Sequence, residues 1–533
     1  MNILIGGAWP YANGPLHIGH IAGLLPGDIL ARYYRAKGDT VFYVSGTDCH
    51  GTPICIKAKK ENKSPQEICD EYHNEFTDVF NRLGFSYDLY GKTTEQWHKD
   101  FVTEFHKQLY KSKYVYEKDS PQAYCNHCEK PLADRLVTGI CPVCGHEANG
   151  EQCDACGNVT DAGNLKEAKC SECGNPVSYY NAKHLYIAIS KLEEQLKDYL
   201  NKHNDWRNNA IAFTKRYIDE GLRDRAITRD LEWGIKVPKE GYEDKRIYIW
   251  AENVLGYLSA SKVLCDKRNI PFDDLWKNDS RHYYVHGKDN IPFHTIILPS
   301  LLLAHNQGYH LPDDIISNEH LTLEGRKIST SKNWAIWAKD IVKEYNPDTI
   351  RFFLVANGPE KRDTDFTWSE FIERNNSELL GIYGNFVNRT LLFIKKYQYN
   401  IVPKGIADEE IQKIINDTYA NAGKNIENGR LKEALLEVIS LVRYGNKYYD
   451  TKEPWKTRTS NIADCDNTIF NCTQIIANAA VLFRPFIPFS SDKVLSWLDL
   501  SYDWEIKKVK EGYTLPEISI LFERITIPSQ PQP

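Results

Sequence analysis

Two histidines three residues apart, His17 and His20, stand in the string Pro10-Tyr11-Ala12-Asn13-Gly14-Pro15-Leu16-His17-Ile18-Gly19-His20. That spacing puts both imidazoles on one face of a helix's first turns. Free backbone N–H groups and the positive end of the helix dipole make such a place attractive to an anion. Two imidazoles there can donate to one phosphate group and stabilise charge building on it. Far downstream, Leu323-Glu324-Gly325-Arg326-Lys327-Ile328-Ser329-Thr330-Ser331-Lys332 offers mobile ammonium groups and small hydroxyls. That chemistry suits gripping a polyphosphate. Taken singly, the first string is also an ordinary helix start with surface histidines, and the second a solvated loop.

The cysteines carry a second chemistry. Eight of the 14 form four Cys-x2-Cys pairs, Cys125/Cys128, Cys141/Cys144, Cys153/Cys156 and Cys170/Cys173. With no secretory signal in the sequence, such pairs read as metal knuckles rather than disulfides. Glycine follows most of them (Gly145, Gly157, Gly174) and relieves the tight turn that aims two thiolates at one ion. Eight thiolates fill two tetrahedral zinc sites, which leaves His127 and His146 as bystanders.

These groups need elements to hold them. The apolar run from Ile3 to Ala8 predicts a buried strand, and Ile21 to Lys37 an amphipathic helix. A tight Asn-Gly-Pro turn joins them. A second strand over Asp39–Gly46 ends at Thr47-Asp48-Cys49-His50-Gly51. Ser64-Pro65-Gln66-Glu67 is a capping box opening a helix to about Leu83. Alternating units predict an α/β fold with a doubly wound parallel sheet of Rossmann type. Ligands of such sheets lie beyond the carboxyl ends of the strands.

The expected domains are a first catalytic half over 1–114, a knuckle-bearing insertion over 115–228 and a second catalytic half with the lysine loop over 229–332. A connector over 333–367 leads to an all-α domain over 368–533. The α/β pattern is expected to resume at Arg246-Ile247-Tyr248-Ile249-Trp250. Helical periodicity near 368–398, 407–427, 430–452 and 462–485 predicts an antiparallel bundle.

Composition narrows the classes. Charged residues make up 26% and hydrophobic ones 42% of the 533 residues, as in ordinary globular chains. No apolar run is long enough to span a bilayer, and no basic segment precedes an apolar core at the start. A cytoplasmic protein with no membrane partner is expected. A net charge of −6 argues against nonspecific coating of nucleic acid but is compatible with a local RNA site.

In their order and separation, the His-Ile-Gly-His string and the lysine string resemble the two signatures of class I aminoacyl-tRNA synthetases. The first string is similar to that of methionyl-tRNA synthetases. So are Gly46-Thr47-Asp48-Cys49-His50-Gly51-Thr52-Pro53, His286-Gly287-Lys288-Asp289-Asn290-Ile291-Pro292-Phe293-His294 and the knuckles after Ala133-Asp134-Arg135. The likeness covers essentially the whole chain. It implies ATP with Mg²⁺, methionine and tRNA(Met) as substrates and a monomer, the C-terminal dimerisation module of some relatives being absent. It also implies two zinc ions. One would sit on Cys141, Cys144, Cys153 and Cys156, the other on Cys125, Cys128, Cys170 and Cys173.

By the same resemblance His17, His20, Lys327 and Lys332 are catalytic. ATP falls to His17, Gly19, His20, Lys288, Asp289, Lys327, Ser329, Thr330 and Ser331. Asn385, Arg389 and Trp455 read the anticodon. The methionine pocket is Ala8, Trp9, Tyr11, Trp250, Asn253, Tyr257 and His294, with Asp48 for the ammonium. A thioether does pack well against aromatic rings; equally, Trp250 and Tyr257 fit as core aromatics seven apart on one helix face. Three positions depart from the family's usual pattern. Trp9 stands where leucine is common and Asn253 where alanine is. Thr330 replaces a lysine whose charge Lys332 would supply. Two other functions fit parts of the pattern: a nucleotidylyltransferase using His-x-Gly-His, and an RNA-binding synthetase relative without activation chemistry.

Overall fold

A computed structural model describes residues 1–150, 153, 155, 156, 158, 160, 162–330 and 332–526. Ser331, one of the expected ATP ligands, lies outside the described residues.

The largest sheet among the described residues contains five strands: β1 (Asn2–Gly7), β2 (Thr40–Thr47), β3 (Leu89–Lys92), β4 (Ser280–Gly287) and β5 (Asp314–Asn318). All pair in parallel, in the order β5-β4-β1-β2-β3. Ile3, Leu4 and Ile5 of the central β1 are fully buried, because both faces of a parallel sheet are covered. From β1 the chain winds one way through β2 and β3, then returns on the other side as β4 and β5. The winding therefore reverses between β1 and β4, and the crevice beyond their carboxyl ends is where such sheets bind ligands.

The helix α1 (Ile18–Ala36) follows β1 and packs on the sheet. The expected capping box at Ser64 is present: its hydroxyl accepts from Glu67 N–H, and the Glu67 carboxylate accepts from Ser64 N–H at 2.8 Å. The insertion is a long antiparallel ribbon, Val115–Cys125 against Ser178–Ile187, with the cysteine pairs at its far end.

The resumption expected at Arg246–Trp250 takes a different form. Arg246–Ile247 is a two-residue antiparallel strand against Thr228–Arg229, and Ile249–Asn253 is already helical. A short apolar run looks alike as a buried strand or a buried helical turn. The sheet itself resumes at Ser280.

The C-terminal region is helical. Trp368–Arg374, a π-helical stretch Asn375–Gly384 and Asn385–Tyr397 run on as one rod, followed by Glu409–Glu427, Leu431–Lys452 and Ile462–Phe483. Two shorter helices, Pro454–Ser460 and Pro488–Trp497, begin with proline at their first position, where no intrahelical N–H is needed. The fully buried Arg351, from the helix Pro347–Ala356, ties this region to α1. It donates to Asp28 Oδ2 at 2.7 Å and to the carbonyls of Leu83, Pro485 and Phe486. The bundle is thereby pinned to the helix that begins with the paired histidines.

Candidate active site

His17 is the N-cap of α1. Its Nδ1 accepts from Gly19 N–H at 3.1 Å, and His20 Nδ1 accepts from His17 N–H, also at 3.1 Å. Each ring's Nδ1 is an acceptor, so each neutral ring carries its proton on Nε2. The two rings lie 3.8 Å apart. Burial, and for His17 also the neighbouring His20, pushes their pKa values down to about 2 and about 4. At neutral pH the pair is therefore two uncharged Nε2–H donors, aligned by the same bonds that start the helix.

The lysine string is folded as a hairpin rather than an open loop. Leu321–Leu323 pairs with Arg326–Lys327, and Ser329 and Trp334 exchange two backbone bonds of 2.9 Å. Lys327, Thr330 and Lys332 are exposed. The following residues strap the hairpin to the first signature: Ile18 N–H donates to Ile336 C=O at 2.9 Å, and Ala338 N–H to Leu16 C=O at 2.8 Å. His17, Gly19, His20, Lys327 and Ile328 thus share one cleft of about 320 Å³ with Ala8, Trp9, Asp289 and His320. It opens at the carboxyl ends of β1 and β4. Lys288 is not among its lining residues. The Lys288 ammonium is held between Glu319 (2.8 Å) and Asp363 (2.9 Å).

The residues expected around methionine gather beside this cleft. Asp48 is fully buried, and its backbone exchanges bonds with the Pro10–Ala12 segment: Asp48 N–H to Pro10 C=O, Ala12 N–H to Asp48 C=O. Trp9, only 5% exposed, is wedged between Gly46 and Gly256; a Cβ at either would come within 2.5 or 2.7 Å of the indole. Tyr11 meets Trp250 edge-on at 6.2 Å, and Trp250 stacks on Phe293 at 3.5 Å. Tyr257 O–H donates to His294 Nε2 at 2.7 Å, since His294 Nδ1–H donates to Asn290 C=O. Asn253 is buried, and its Nδ2 has no hydrogen-bond partner among the described residues.

The eight paired cysteines form two tetrads, Cys125/Cys128/Cys170/Cys173 and Cys141/Cys144/Cys153/Cys156, with all sulfurs of a tetrad within 4.8 Å of one another. Four thiolates about 2.3 Å from a tetrahedral zinc stand about 3.8 Å apart, so the donor sets fit that ion. Gly145 and Gly174 take φ of 76° and 73° after their pairs, a backbone that glycine adopts freely.

On the bundle, Asn385 is exposed at the end of the π-helical stretch, and Trp455 is 42% exposed. Arg389 lies over the Tyr449 ring at 4.2 Å, and Tyr449 is 5.8 Å from Trp455. Arg389 is already engaged: it donates to Asp450 at 2.8 Å and to Asn446 C=O at 2.7 Å.

Comparison with known proteins agrees with this geometry. Residues 3–391 match the family described as tRNA synthetases class I (M), and residues 402–528 the anticodon binding domain of methionyl tRNA ligase. Methionine–tRNA ligase 1 of Alkaliphilus oremlandii (strain OhILAs) is 51% identical over 528 residues, 98% of this chain and 97% of the relative. The methionine–tRNA ligase of Bacillus cereus (strain Q1) is 50% identical over 535 residues, 99% and 97% of the two chains. The chain belongs to the methionyl-tRNA synthetase family. In fold it is similar to the crystal structure of the Mycobacterium tuberculosis methionyl-tRNA synthetase bound by methionyl-adenylate. There the TM-score is 0.82 at 20% identity, covering 98% of this chain and 100% of that one.

Some residues around this synthetase's cleft escaped the sequence reading. His286 is buried, lines the cleft and stacks on His294 at 4.3 Å. It opens the segment His286–His294 but carries no spacing that marks it. Glu319 and His320 line the cleft from the end of β5, a position that only the strand order reveals.

Proposed function

We propose that this synthetase joins methionine to tRNA(Met) in two steps. A carboxylate oxygen of methionine attacks the α-phosphorus of ATP, which enters as its Mg²⁺ complex. Methionyl-adenylate forms and pyrophosphate leaves. The terminal ribose hydroxyl of tRNA then attacks the activated carbonyl, and AMP leaves. The observation that carries this reading is the meeting of the two signatures in one cleft, beside the buried carboxylate of Asp48.

No protein nucleophile is required; positioning and charge stabilisation do the work. His17 and His20 direct neutral Nε2–H donors at the phosphate oxygens, and such bonds tighten as negative charge grows there. Lys327 and Lys332, on an exposed hairpin, take the pyrophosphate charge. Asp48 pairs with the methionine ammonium while Trp9, Tyr11, Trp250 and Tyr257 surround the thioether. Lys288 supports this indirectly, by fixing Glu319 at the cleft rim. Asn385, Arg389 and Trp455 hold the anticodon, with Trp455 offering a face to an unpaired base. The two cysteine tetrads hold two structural zinc ions. We further take the protein to act as a monomer in the cytoplasm; no described helix is long and apolar enough to cross a membrane.

ATP–pyrophosphate exchange tests the reading. Exchange should depend on methionine and should not be driven by leucine, isoleucine or valine. Exchange without any amino acid would point to a nucleotidylyltransferase. No exchange at all, with tRNA binding intact, would point to a relative that has lost activation.

A further inference from the structure

Behind the methionine pocket lies a buried polar cluster that the reaction does not use. Glu252, in the turn between Trp250 and Asn253, is fully buried. Its Oε1 lies 2.5 Å from His50 Nδ1 and 3.6 Å from His98 Nε2. Both histidines are buried as well. Glu252 Oε2 and His98 Nε2 have no hydrogen-bond partner among the described residues. A carboxylate in such a place is costly unless charge and geometry around it are well matched. Burial raises the Glu252 carboxyl, but the His50 and His98 imidazoles outweigh that and hold it down at about 2. The group therefore stays ionised.

Each member of the cluster touches a different wall of the pocket. The backbone N–H of His50 donates to Asp48 Oδ1, with N and O 3.4 Å apart, at the ammonium end, so the residue whose ring meets Glu252 also holds the Asp48 side chain through its main chain. The His98 ring packs on the Trp9 indole, with centroids 5.8 Å apart, at the side-chain end. His98 Nδ1 also bonds Ser259 Oγ at 2.9 Å, on the helix that carries Gly256 and Tyr257. Glu252 itself belongs to the turn whose Trp250 stacks on Phe293. Three walls from distant parts of the chain thus converge on one carboxylate.

We propose that Glu252, bridging His50 and His98, is a positioning residue that fixes the separation of Asp48 and Trp9 and so sets the affinity for methionine. This rests on the reading of Asp48 and Trp9 as the two ends of the methionine pocket. ATP binds across the cleft, on His17, His20 and the lysine hairpin, so its affinity is not under this control.

The test is methionine-dependent pyrophosphate exchange with full-length Glu252→Gln, Glu252→Asp, His98→Gln and Asp48→Asn, each with its melting temperature. Glu252→Gln keeps the volume and removes the charge. It should raise KM for methionine about tenfold or more and leave KM for ATP within about threefold, as expected when a binding group is misplaced. Glu252→Asp, which keeps the charge, should recover part of the loss. His98→Gln should raise KM for methionine in the same selective way, and decides the matter if Glu252→Gln does not fold. An unchanged KM for methionine in Glu252→Gln overturns the proposal. So does a parallel rise in both KM values with a lower melting temperature, which marks a purely structural role. If Asp48→Asn also leaves KM for methionine unchanged, the pocket reading itself has failed. If Asp48→Asn raises it and Glu252→Gln does not, only the positioning role has failed.

Discussion

The proposed function gives His17 two tasks that one substitution separates. As N-cap, its Nδ1 accepts from Gly19 N–H at 3.1 Å. Loss of such a cap to alanine costs about 1 kcal/mol. The same bond leaves the proton on Nε2, the atom available to phosphate. Asparagine is among the best N-cap residues, so His17→Asn keeps a cap acceptor and deletes the donor. Removing one preorganised donor from developing charge costs about 2.7–4 kcal/mol, or about 10²–10³ in rate. In the proposed site the developing charge is shared with His20 and the lysine hairpin, so the lower end applies. His17→Asn should therefore lower kcat for pyrophosphate exchange about 100-fold, with KM for methionine and the melting temperature unchanged. His17→Ala should show the same kinetic loss plus a fall in melting temperature of about 2 °C. Because burial holds the two rings at about 2 and about 4, neither changes charge between about pH 6 and 8. The rate loss in His17→Asn should thus be the same across that range. Full activity in His17→Asn would reduce the ring to a helix cap. A loss confined to KM for methionine would refute charge stabilisation altogether.

Protein purified without chelator should contain two zinc ions per chain, each with sulfur at about 2.3 Å by X-ray absorption; one ion or none contradicts this. If a single site fills, it should be Cys141/Cys144/Cys153/Cys156, whose shorter loops close at lower entropic cost. Thr330 and Lys332 are both exposed on one turn, closed by Asn333 N–H to Thr330 C=O at 3.2 Å. Lys332→Ala should slow pyrophosphate exchange, and adding Thr330→Lys should restore much of it; unchanged exchange in Lys332→Ala rules out compensation. Trp455→Ala should weaken tRNA binding by about 1–3 kcal/mol, the worth of one base-stacking contact. Pyrophosphate exchange and thermal stability should be spared, as suits a ring 42% exposed on the bundle. If both reaction steps and the melting temperature fall together, Trp455 is a packing residue.

What was legible in the sequence follows from the range over which each feature is determined. The apolar run of β1 and the capping box at Ser64 are local, so spacing alone reveals them. The lysine string was legible as chemistry but not as a hairpin, since its closure depends on Ser329 meeting Trp334 and Ile336 meeting Ile18. Sequence assigns Lys288 to ATP and Arg389 to the anticodon without revealing their ion pairs, because the partners are remote: Asp363 stands 75 residues from Lys288 and Asp450 61 from Arg389. His98 carries no local pattern at all; only the packing of its helix against the Ser259 helix brings it to Glu252 and Trp9.

Trp9 shows how a departure visible in sequence acquires its reason only in space. A large ring in place of a leucine-sized side chain needs room on its flank, and core packing leaves none to spare. At Gly46 a side chain would meet both the indole and the Gly91 carbonyl, so two constraints keep that position small. At Gly256 the three nearest atoms all belong to the indole, the closest at 2.7 Å. Trp9 and Gly256, far apart in sequence, thus constrain each other where the methionine pocket is proposed. A change at either one alone, Gly256→Ala or Trp9→Leu, leaves a clash or a void in the proposed methionine pocket. Changing both together relieves the clash and fills part of the void.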